Sequence, residues 1–268
     1  MFRINNLTCS YRAGHSVLKI PELTIPFQEV VFIIGLSGSG KSTLLETLGL
    51  MNNTLDPGSS VEFTAGDSGS YEYFSLWNGG DAKARSDVRR RYFSFVFQQN
   101  NLMNNFTALE NICLGQMIQG VSFRESMVKT RKYLAELNLS EIGTDRLCQE
   151  LSGGEKQRIA FVRALSTDSM VVFGDEPTGN LDSRNADDLF TVLRETVKRH
   201  GRTAIIVSHD LEMARKHADR IIALEKDGDS FRVGRNSTFV RQPDGFRNDE
   251  GTGLDFNRLF GKDSHVVS

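Results

Sequence analysis

Short apolar runs alternate with helical patterns through the central part of the chain. Runs without a charge occur at 30–34, 93–97, 170–174 and 203–207. They are rich in Val, Ile and Phe, so each predicts a buried strand. Sequence patterns typical of helices lie between these apolar runs. Strands that alternate with helices predict an α/β fold with a mostly parallel sheet, in which ligands bind at the carboxyl ends of the strands.

Two segments do not follow this alternation of strands and helices. Residues 3–27 contain spaced apolar positions around a turn at 12–15, which predicts an antiparallel β subdomain at the N-terminus. Residues 59–91 contain alternating positions on both sides of a Gly-Asp-Ser-Gly loop, which predicts a protruding hairpin extension. The arginine run at 85–91 fits a solvated helix face better than a surface for phosphate or an acidic partner.

The stretch 100–150 predicts an inserted α-helical lobe. Thr107 with Glu110 and Ser122 with Glu125 both fit the capping box of a helix start. We therefore expect a single domain at 1–224, with a core formed by 1–99 and 151–224. Residues 225–268 are expected to be a C-terminal extension, with short strands at 230–233 and 237–240 and a partly flexible remainder.

Composition and charge narrow the class of protein. The 268 residues carry 32 basic and 34 acidic side chains, for a net charge of −2, so no overall field favours nucleic acid and none is expected as a partner. The longest wholly apolar run is far shorter than a membrane span, which predicts a cytosolic chain. The three cysteines are widely spaced and are interpreted as small buried hydrophobic residues.

A glycine-rich loop follows the first apolar run and leads into a helix. Its spacing is that of a P-loop, in which backbone N–H groups and a helix N-terminus surround phosphate oxygens. We expect Lys41 to reach the β- and γ-phosphates and Ser42 to bind Mg²⁺. The residues predicted to hold the nucleotide here are Gly35, Leu36, Ser37, Gly38, Ser39, Gly40, Lys41, Ser42 and Thr43.

Four polar side chains end the other apolar strands. Asp175 and Glu176 close one strand, and Gln98 and His209 follow two others. Phosphoryl transfer to water needs a metal, a group that polarises water and donors for the γ-phosphate. Asp175 suits the metal, Glu176 the water, His209 the γ-phosphate, and Gln98 both metal and water. A strand-end His or Gln is often just hydrogen-bonded, but the set together favours an ATPase.

A second anion cradle is predicted at Ser152-Gly153-Gly154, which opens a helix but has no lysine placed as Lys41 is. One complete P-loop and one separate cradle suggest that two chains share each nucleotide head to tail. The second cradle would then close on the γ-phosphate held by the other chain.

These motifs together resemble the nucleotide-binding subunit of an ATP-binding cassette (ABC) system. They are, in order, GLSGSGKST, Gln98, LSGGEKQR, VVFGDEPTGNLD and Ser208-His209-Asp210. The resemblance covers roughly residues 4–224 and implies ATP and Mg²⁺ as ligands, a dimer sharing two ATP sites, transmembrane permease subunits and a position on the inner face of the membrane. It assigns adenine stacking to Tyr11, the signature to 151–155 with Glu155, and contacts with the opposite protomer to 180–182 with Asp182. On residue type alone, a strand tyrosine is more often a packing residue, and only the position of Tyr11 ahead of the P-loop gives the two roles equal weight.

The ending PTGNLD and the sequence NLMNNFTALENI resemble the branch that serves lipoprotein release, macrolide and peptide export, and bacterial cell division. An alternative function is a cassette that regulates rather than transports, as in division control. A DNA-repair or translation ATPase would need coiled coils, zinc cysteines or a second cassette, which this sequence lacks. A metabolic kinase would have no need of LSGGE.

Overall fold

One twelve-stranded sheet runs through the computed structural model, which describes residues 1–12, 15–136 and 143–255. Its strands are β1 (Phe2–Arg12), β2 (His15–Ile25), β3 (Val30–Gly35), β4 (Ser60–Thr64), β5 (Ser70–Glu72), β6 (Phe93–Val96), β7 (Val171–Asp175), β8 (Thr203–Val207), β9 (Arg220–Asp227), β10 (Ser230–Arg232), β11 (Thr238–Gln242) and β12 (Gly245–Arg247). Their order is β5-β4-β1-β2-β10-β9-β3-β8-β7-β6, and β11 pairs with β9 and β12.

The central strands β9, β3, β8, β7 and β6 are parallel neighbours, which confirms the predicted α/β core. All six residues of β3 and all five of β8 are buried, because helices cover both faces of the sheet. Strand β8 coincides with the predicted run 203–207. Strands β3, β6 and β7 each differ from their predicted bounds by one residue at one or both ends.

The N-terminal strands form the predicted antiparallel β subdomain. Strand β1 pairs antiparallel with β2 and with β4. Residues 13 and 14 of the predicted turn lie outside the described residues. Strand β10 runs parallel to β2 and antiparallel to β9, so the two parts form one continuous sheet.

The prediction of a protruding hairpin at 59–91 is wrong in its second half. Strands β4 and β5 do pair, but the chain then forms two helices, at Tyr73–Asn78 and Ala82–Tyr92. The Glu72 carboxylate accepts from the N–H groups of Phe74 and Ser75 and so begins the first of them. Tyr73 is fully buried and donates its hydroxyl to the carbonyl of Leu48, so the segment packs on the core.

Eight α-helices complete the described part of the chain. They are α1 (Lys41–Leu48), α2 (Tyr73–Asn78), α3 (Ala82–Tyr92), α4 (Ala108–Ile118), α5 (Phe123–Glu136), α6 (Gly153–Leu165), α7 (Ser183–His200) and α8 (Leu211–His217). Helix α7 buries Leu189, Leu193 and Val197 against the sheet. Helices α4 and α5 lie in the predicted lobe, and both predicted capping boxes are present.

The residues beyond 224 continue the sheet. The predicted boundary at 224 falls inside β9, and β10 and β11 lie close to the predicted short strands. Phe239 and Phe246, on β11 and β12, are buried in the same cluster as α7 and α8. The described part of the extension is therefore packed against the core, and residues 256–268 lie outside the described residues.

Cys9, Cys113 and Cys148 are free thiols and are buried, which agrees with their interpretation as small buried hydrophobic residues. None of the helices in the described ranges has the length and apolar character that crossing a membrane would need.

Candidate functional site

The predicted polar groups collect at one edge of the parallel sheet. The glycine loop follows β3, Asp175 is the last residue of β7, His209 lies two residues after β8, and Gln98 two residues after β6. These four strands are neighbours and run in the same direction. Their carboxyl ends therefore form a single edge, as the sequence predicted.

The glycine loop has a backbone that only glycine accepts easily. Gly40 has a φ of +86°, in the left-handed region, and precedes the first residue of α1 without a side-chain cap. A Cβ on Gly40 would lie 3.3 Å from Cγ1 of Val17, so the loop packs closely on β2. The helix dipole places partial positive charge at the N–H groups that begin α1. This geometry is the one expected of an anion site and fits the predicted phosphate loop.

Lys41 lies over the same loop. Its Nζ donates to the carbonyls of Gly35 and Leu36 at 3.0 and 2.8 Å. Burial lowers the pKa of this ammonium group, while the nearby carboxylates of Glu176 and Asp175 act in the opposite direction. The lysine is thus placed between the phosphate loop and the two strand-end carboxylates.

Ser42 and Asp175 are hydrogen-bonded to each other at the carboxyl ends of the parallel strands. The Ser42 hydroxyl donates to Oδ1 of Asp175 at 3.1 Å. Burial raises the pKa of Asp175 above its usual range, and the neighbouring charge of Glu176 adds to the effect. A hydroxyl and a carboxylate oxygen side by side are ligands that Mg²⁺ accepts, with phosphate oxygens and water completing its shell. The described residues contain no group of three His, Cys, Asp or Glu side chains that could hold a metal alone.

Glu176 and His209 form the second pair. His209 Nδ1 lies 2.9 Å from Glu176 Oε2, and the imidazole is 76% exposed while the carboxylate is 17% exposed. Glu176 has a φ of +47°, which is rare for a residue other than glycine. Its N–H donates to the carbonyl of Val207 at 2.9 Å, so β8 helps to hold this conformation. Strain of this kind is typical of residues whose side chain must be aimed at a ligand.

Tyr11 lies on β1 beside the phosphate loop. Its hydroxyl oxygen is 3.1 Å from Oγ1 of Thr43, on the first turn of α1, and its side chain is among the exposed large hydrophobic groups. The ring is therefore open to solvent on the flank of the predicted nucleotide site.

The second anion cradle begins α6. Ser152 and Glu155 form a capping box, and the N–H of Ser152 is the main cause that lowers the pKa of Glu155. Arg146 pairs with Glu155 at 2.8 Å. In the part of the chain that the structure describes, no hydrogen bond or ion pair joins residues 152–155 to residues 35–43. The two anion sites of one chain are separate.

Residues 180–182 lie against α6. Asn180 Nδ2 is 3.3 Å from Oε1 of Gln157, and Asp182 caps α7 by accepting from the N–H of Asn185. Asn180 also reaches the carbonyl of Gln98 at 3.5 Å. The Gln98 residue itself is exposed, and no described hydrogen bond joins its side chain to Ser42 or Asp175. Its predicted contact with the metal stays a prediction.

Arg163 is a residue that the sequence reading did not single out. Its guanidinium donates to the carbonyls of Asn101 and Asn100 at 2.7 and 3.0 Å. It thereby joins α6, which carries the second anion cradle, to the segment that follows Gln98. A lone arginine in the apolar stretch IAFVRAL was the signal that could have identified it.

Comparison with known proteins adds three findings. Residues 18–179 match the ABC transporter family. The lipoprotein-releasing system ATP-binding protein LolD of Ruegeria sp. (strain TM1040) is 38% identical over 227 residues, which cover 83% of this chain and 94% of that protein. The macrolide export ATP-binding/permease protein MacB 2 of Yersinia pestis bv. Antiqua (strain Antiqua) is 34% identical over 85% of this chain, but only 32% of that protein is covered.

A solved structure shares the fold. The ATP-binding cassette MJ0796, described as a dimer in a post-hydrolysis state bound to ADP and Pi, superposes with a TM-score of 0.73 at 32% identity. The match covers 88% of this chain and 97% of that chain. The same cassette is described in a second structure as a dimer, with a TM-score of 0.72.

Proposed function

This chain belongs to the ABC transporter family as an ATP-binding, ATP-hydrolysing subunit, and we propose that two copies close around two ATP–Mg²⁺ to drive separate transmembrane subunits. The observation that carries the shared site is the separation of two anion cradles in one chain. Lys41 and the proposed catalytic carboxylate of Glu176 lie beside the cradle at 35–43. No described contact joins either of these two residues to the cradle at 152–155. A second copy would supply its 152–155 cradle to the nucleotide site at 35–43 of the first copy, and the first copy would do the same for the second.

The chemistry assigned to the first cradle follows from its contacts. The N–H groups at the start of α1 and the Lys41 ammonium bind phosphate oxygens and offset the charge that develops on them. Glu176 accepts a proton from the attacking water, and its carboxylate is held by a strained backbone and by His209. His209 is the donor proposed for the γ-phosphate, because its exposed ring can turn from Glu176 toward a ligand at the same edge.

Magnesium fits the pair formed by Ser42 and Asp175. Both oxygens are hard ligands, and the raised pKa of the buried Asp175 carboxyl reflects a cost that a cation would remove. Ser42, Asp175 and Gln98 are the residues proposed to hold the ion. When bound, Mg²⁺ neutralises phosphate charge and orients the triphosphate.

A groove between the core and the α4–α5 lobe is the proposed docking site for a transmembrane subunit. It has a volume of about 640 Å³, and its lining is mostly apolar, with Met51, Phe97, Met103 and Ile118 among the apolar side chains and with three arginines as well. Met103 is 56% exposed and Ile118 is 62% exposed, which is unusual for large apolar side chains. Arg163 lines the groove as well and holds the segment after Gln98. Nucleotide state and docking would therefore be coupled through one arginine.

The process that this subunit powers is proposed from its relatives. LolD proteins are named for a lipoprotein-releasing system, and MacB is named for macrolide export. We assign this chain to the same branch, with ATP hydrolysis driving release or export through the membrane partner. Its place would be the cytoplasmic face of the membrane, held there by that partner.

Affinity capture tests the assignment. The tagged chain is isolated from detergent-solubilised native membranes, and copurifying proteins are identified by mass spectrometry. Recovery of a few-span membrane protein with a large extracytoplasmic domain supports release or export. A many-span permease would indicate ordinary transport, and a soluble partner alone would contradict the proposal.

A pair of variants tests the groove in the same experiment. Ile118→Asp places a charge in the groove and is expected to abolish recovery of the membrane partner. Val128→Asp makes the same kind of change on α5, where Val128 is 67% exposed and does not line the groove. It should leave recovery unchanged. Equal recovery with both variants would place the docking site elsewhere.

A further inference from the structure

Tyr11 lies in an irregular part of the β1–β2 pairing. Cys9 pairs with Leu18 and Ser10 with Ser16, whereas Arg12 pairs with His15. Tyr11 lies within the second of two register shifts, between Ser10 and Arg12, and has no paired residue on β2. Bulges of this kind turn a side chain away from its regular direction and are frequent beside active sites.

Two hydrogen bonds made by Ser10 hold this irregular segment in place. The N–H of Ser10 donates to the carbonyl of Thr54 at 2.9 Å, and its hydroxyl donates to Asp56 Oδ2 at 2.7 Å. Both partners belong to the segment that follows α1. On the other strand, Cγ1 of Val17 would lie 3.3 Å from a Cβ placed on Gly40, so β2 passes close to the start of α1. The backbone that carries Tyr11 is therefore fixed relative to α1.

The side chain of Tyr11 has its own link to α1, and that link is the basis of the inference. We propose that Thr43 is a positioning residue that holds the Tyr11 ring as the platform for the base of a purine nucleotide. The two hydroxyl oxygens are 3.1 Å apart, and Thr43 is 6% exposed, so its rotamer is restrained by packing. Tyr11 as a residue is 59% exposed, so its side chain is accessible to a ligand. The inference rests on the proposed function as an ATP-binding subunit and on the stacking role that the sequence resemblance implies for Tyr11.

The physical argument is one of preorganisation. A tyrosine ring on an exposed strand end rotates about two side-chain bonds, and a base that stacks on it must stop that rotation. The hydroxyl contact with Thr43 restricts the rotation before the nucleotide arrives. The contribution should appear only for ligands that carry a base, because the phosphates are bound by the loop and Lys41.

Isothermal titration with two ligands tests the proposal. The ligands are ATP and inorganic tripolyphosphate, both with Mg²⁺, and the proteins are the full chain and its variants. Tyr11→Phe removes the hydroxyl and keeps the ring, so ATP should bind about two- to fivefold more weakly while tripolyphosphate binding is unchanged. Tyr11→Ala removes the platform and should weaken ATP binding by about tenfold or more.

Thr43 is tested through a double-mutant cycle, because its substitution can disturb phosphate binding directly. If the two hydroxyl groups act through each other, Tyr11→Phe added to Thr43→Val should cause no further loss of ATP affinity. Thr43→Ser keeps the hydroxyl and should retain the effect of Tyr11→Phe. Additive losses in the cycle would overturn the proposal.

Two further outcomes separate this inference from the function on which it rests. Equal ATP affinity in Tyr11→Phe and the unsubstituted chain, or equal weakening of both ligands, would overturn the positioning role. Lys41→Ala should abolish binding of both ligands. Failure of the unsubstituted chain to bind either ligand would instead overturn the proposed function. Normal ATP binding by Tyr11→Ala would overturn the stacking role and with it the positioning role of Thr43, and would leave the proposed function in place.

Discussion

His209 Nδ1 lies 2.9 Å from Glu176 Oε2, so the group proposed to activate water is already engaged by the group proposed to contact the γ-phosphate. The two residues come from the ends of neighbouring strands, β8 and β7. Glu176 reaches this position with a φ of +47° and with its N–H bound to Val207. Under the proposed roles, this contact would link the γ-phosphate to the water-activating carboxylate through one side chain.

Glu176→Gln should stop hydrolysis and preserve ATP binding. The amide keeps the shape of the side chain but cannot accept the proton, so the rate should fall by about 100-fold or more. ATP should then trap a dimer that elutes ahead of the monomer in size-exclusion chromatography. Glu212→Gln, an exposed change in the first turn of α8, is the control and should behave like the unsubstituted chain. Only monomers in the presence of ATP would count against the shared site.

Ser152→Ala and Thr107→Ala remove equivalent caps with different expected consequences. Both residues form capping boxes, with Glu155 and Glu110. Each substitution should lower the free energy of unfolding by about 1 kcal/mol, measured by urea denaturation. Only Ser152→Ala should also weaken the ATP-dependent dimer of the Glu176→Gln chain. Equal dimerisation by the two variants would remove Ser152 from the nucleotide site.

Gly40→Ala and Gly228→Ala separate backbone strain from crowding. Both glycines have positive φ, +86° and +60°, so both substitutions should cost about 1 kcal/mol of stability. A Cβ on Gly228 has nothing within 4 Å, whereas a Cβ on Gly40 meets Val17 at 3.3 Å. ATP hydrolysis should therefore survive in Gly228→Ala and be lost in Gly40→Ala. Retained hydrolysis in Gly40→Ala would show that the loop can move away from β2.

Arg163→Ala should destabilise the chain more than an exposed arginine substitution does. It removes a charged donor from two backbone carbonyls, which costs about 2–3 kcal/mol in urea denaturation. Arg163→Lys should recover only part of this free energy of unfolding, because the lysine ammonium cannot reproduce the fork geometry of the guanidinium. Arg184→Ala, on the exposed start of α7, should cost less than about 0.5 kcal/mol. Equal losses of unfolding free energy at the two positions would show that Arg163 does not hold the segment after Gln98.

Asp175→Asn should raise the thermal stability of the nucleotide-free protein at pH 8 while it abolishes hydrolysis. The folded-state pKa of Asp175 is raised by burial, so the ionised carboxyl is unfavourable to folding at a pH above that raised value. Below the ordinary pKa of 3.8 the carboxyl is protonated in both states, and the gain should vanish. Calorimetry between about pH 3 and pH 8 measures the trend. A gain that does not change with pH would assign the effect to packing.

Local sequence determined a large part of this fold. Strand β8 occupies the predicted residues, and α7 starts after Asp182, because an uninterrupted apolar run and a cap are properties of adjacent residues. The direction of the strands then places Gln98, Asp175 and His209 at one edge with the P-loop. The prediction for segment 59–91 is wrong in its second half because the four alternating residues at 71–74 fit a strand and a helix equally well. The cap formed by Glu72 and the burial of Tyr73 favour the helix.

Only the tertiary structure decided which distant side chains meet. Tyr11 and Thr43 are 32 positions apart, and Arg163 and Asn101 are 62 apart. No periodicity along the chain encodes such pairs, because they depend on how whole elements pack. The same holds for the strained backbone of Glu176 and for the strands beyond 224, which join the sheet through β9. The sequence determined which groups this protein carries to the site, and packing determined which of them touch.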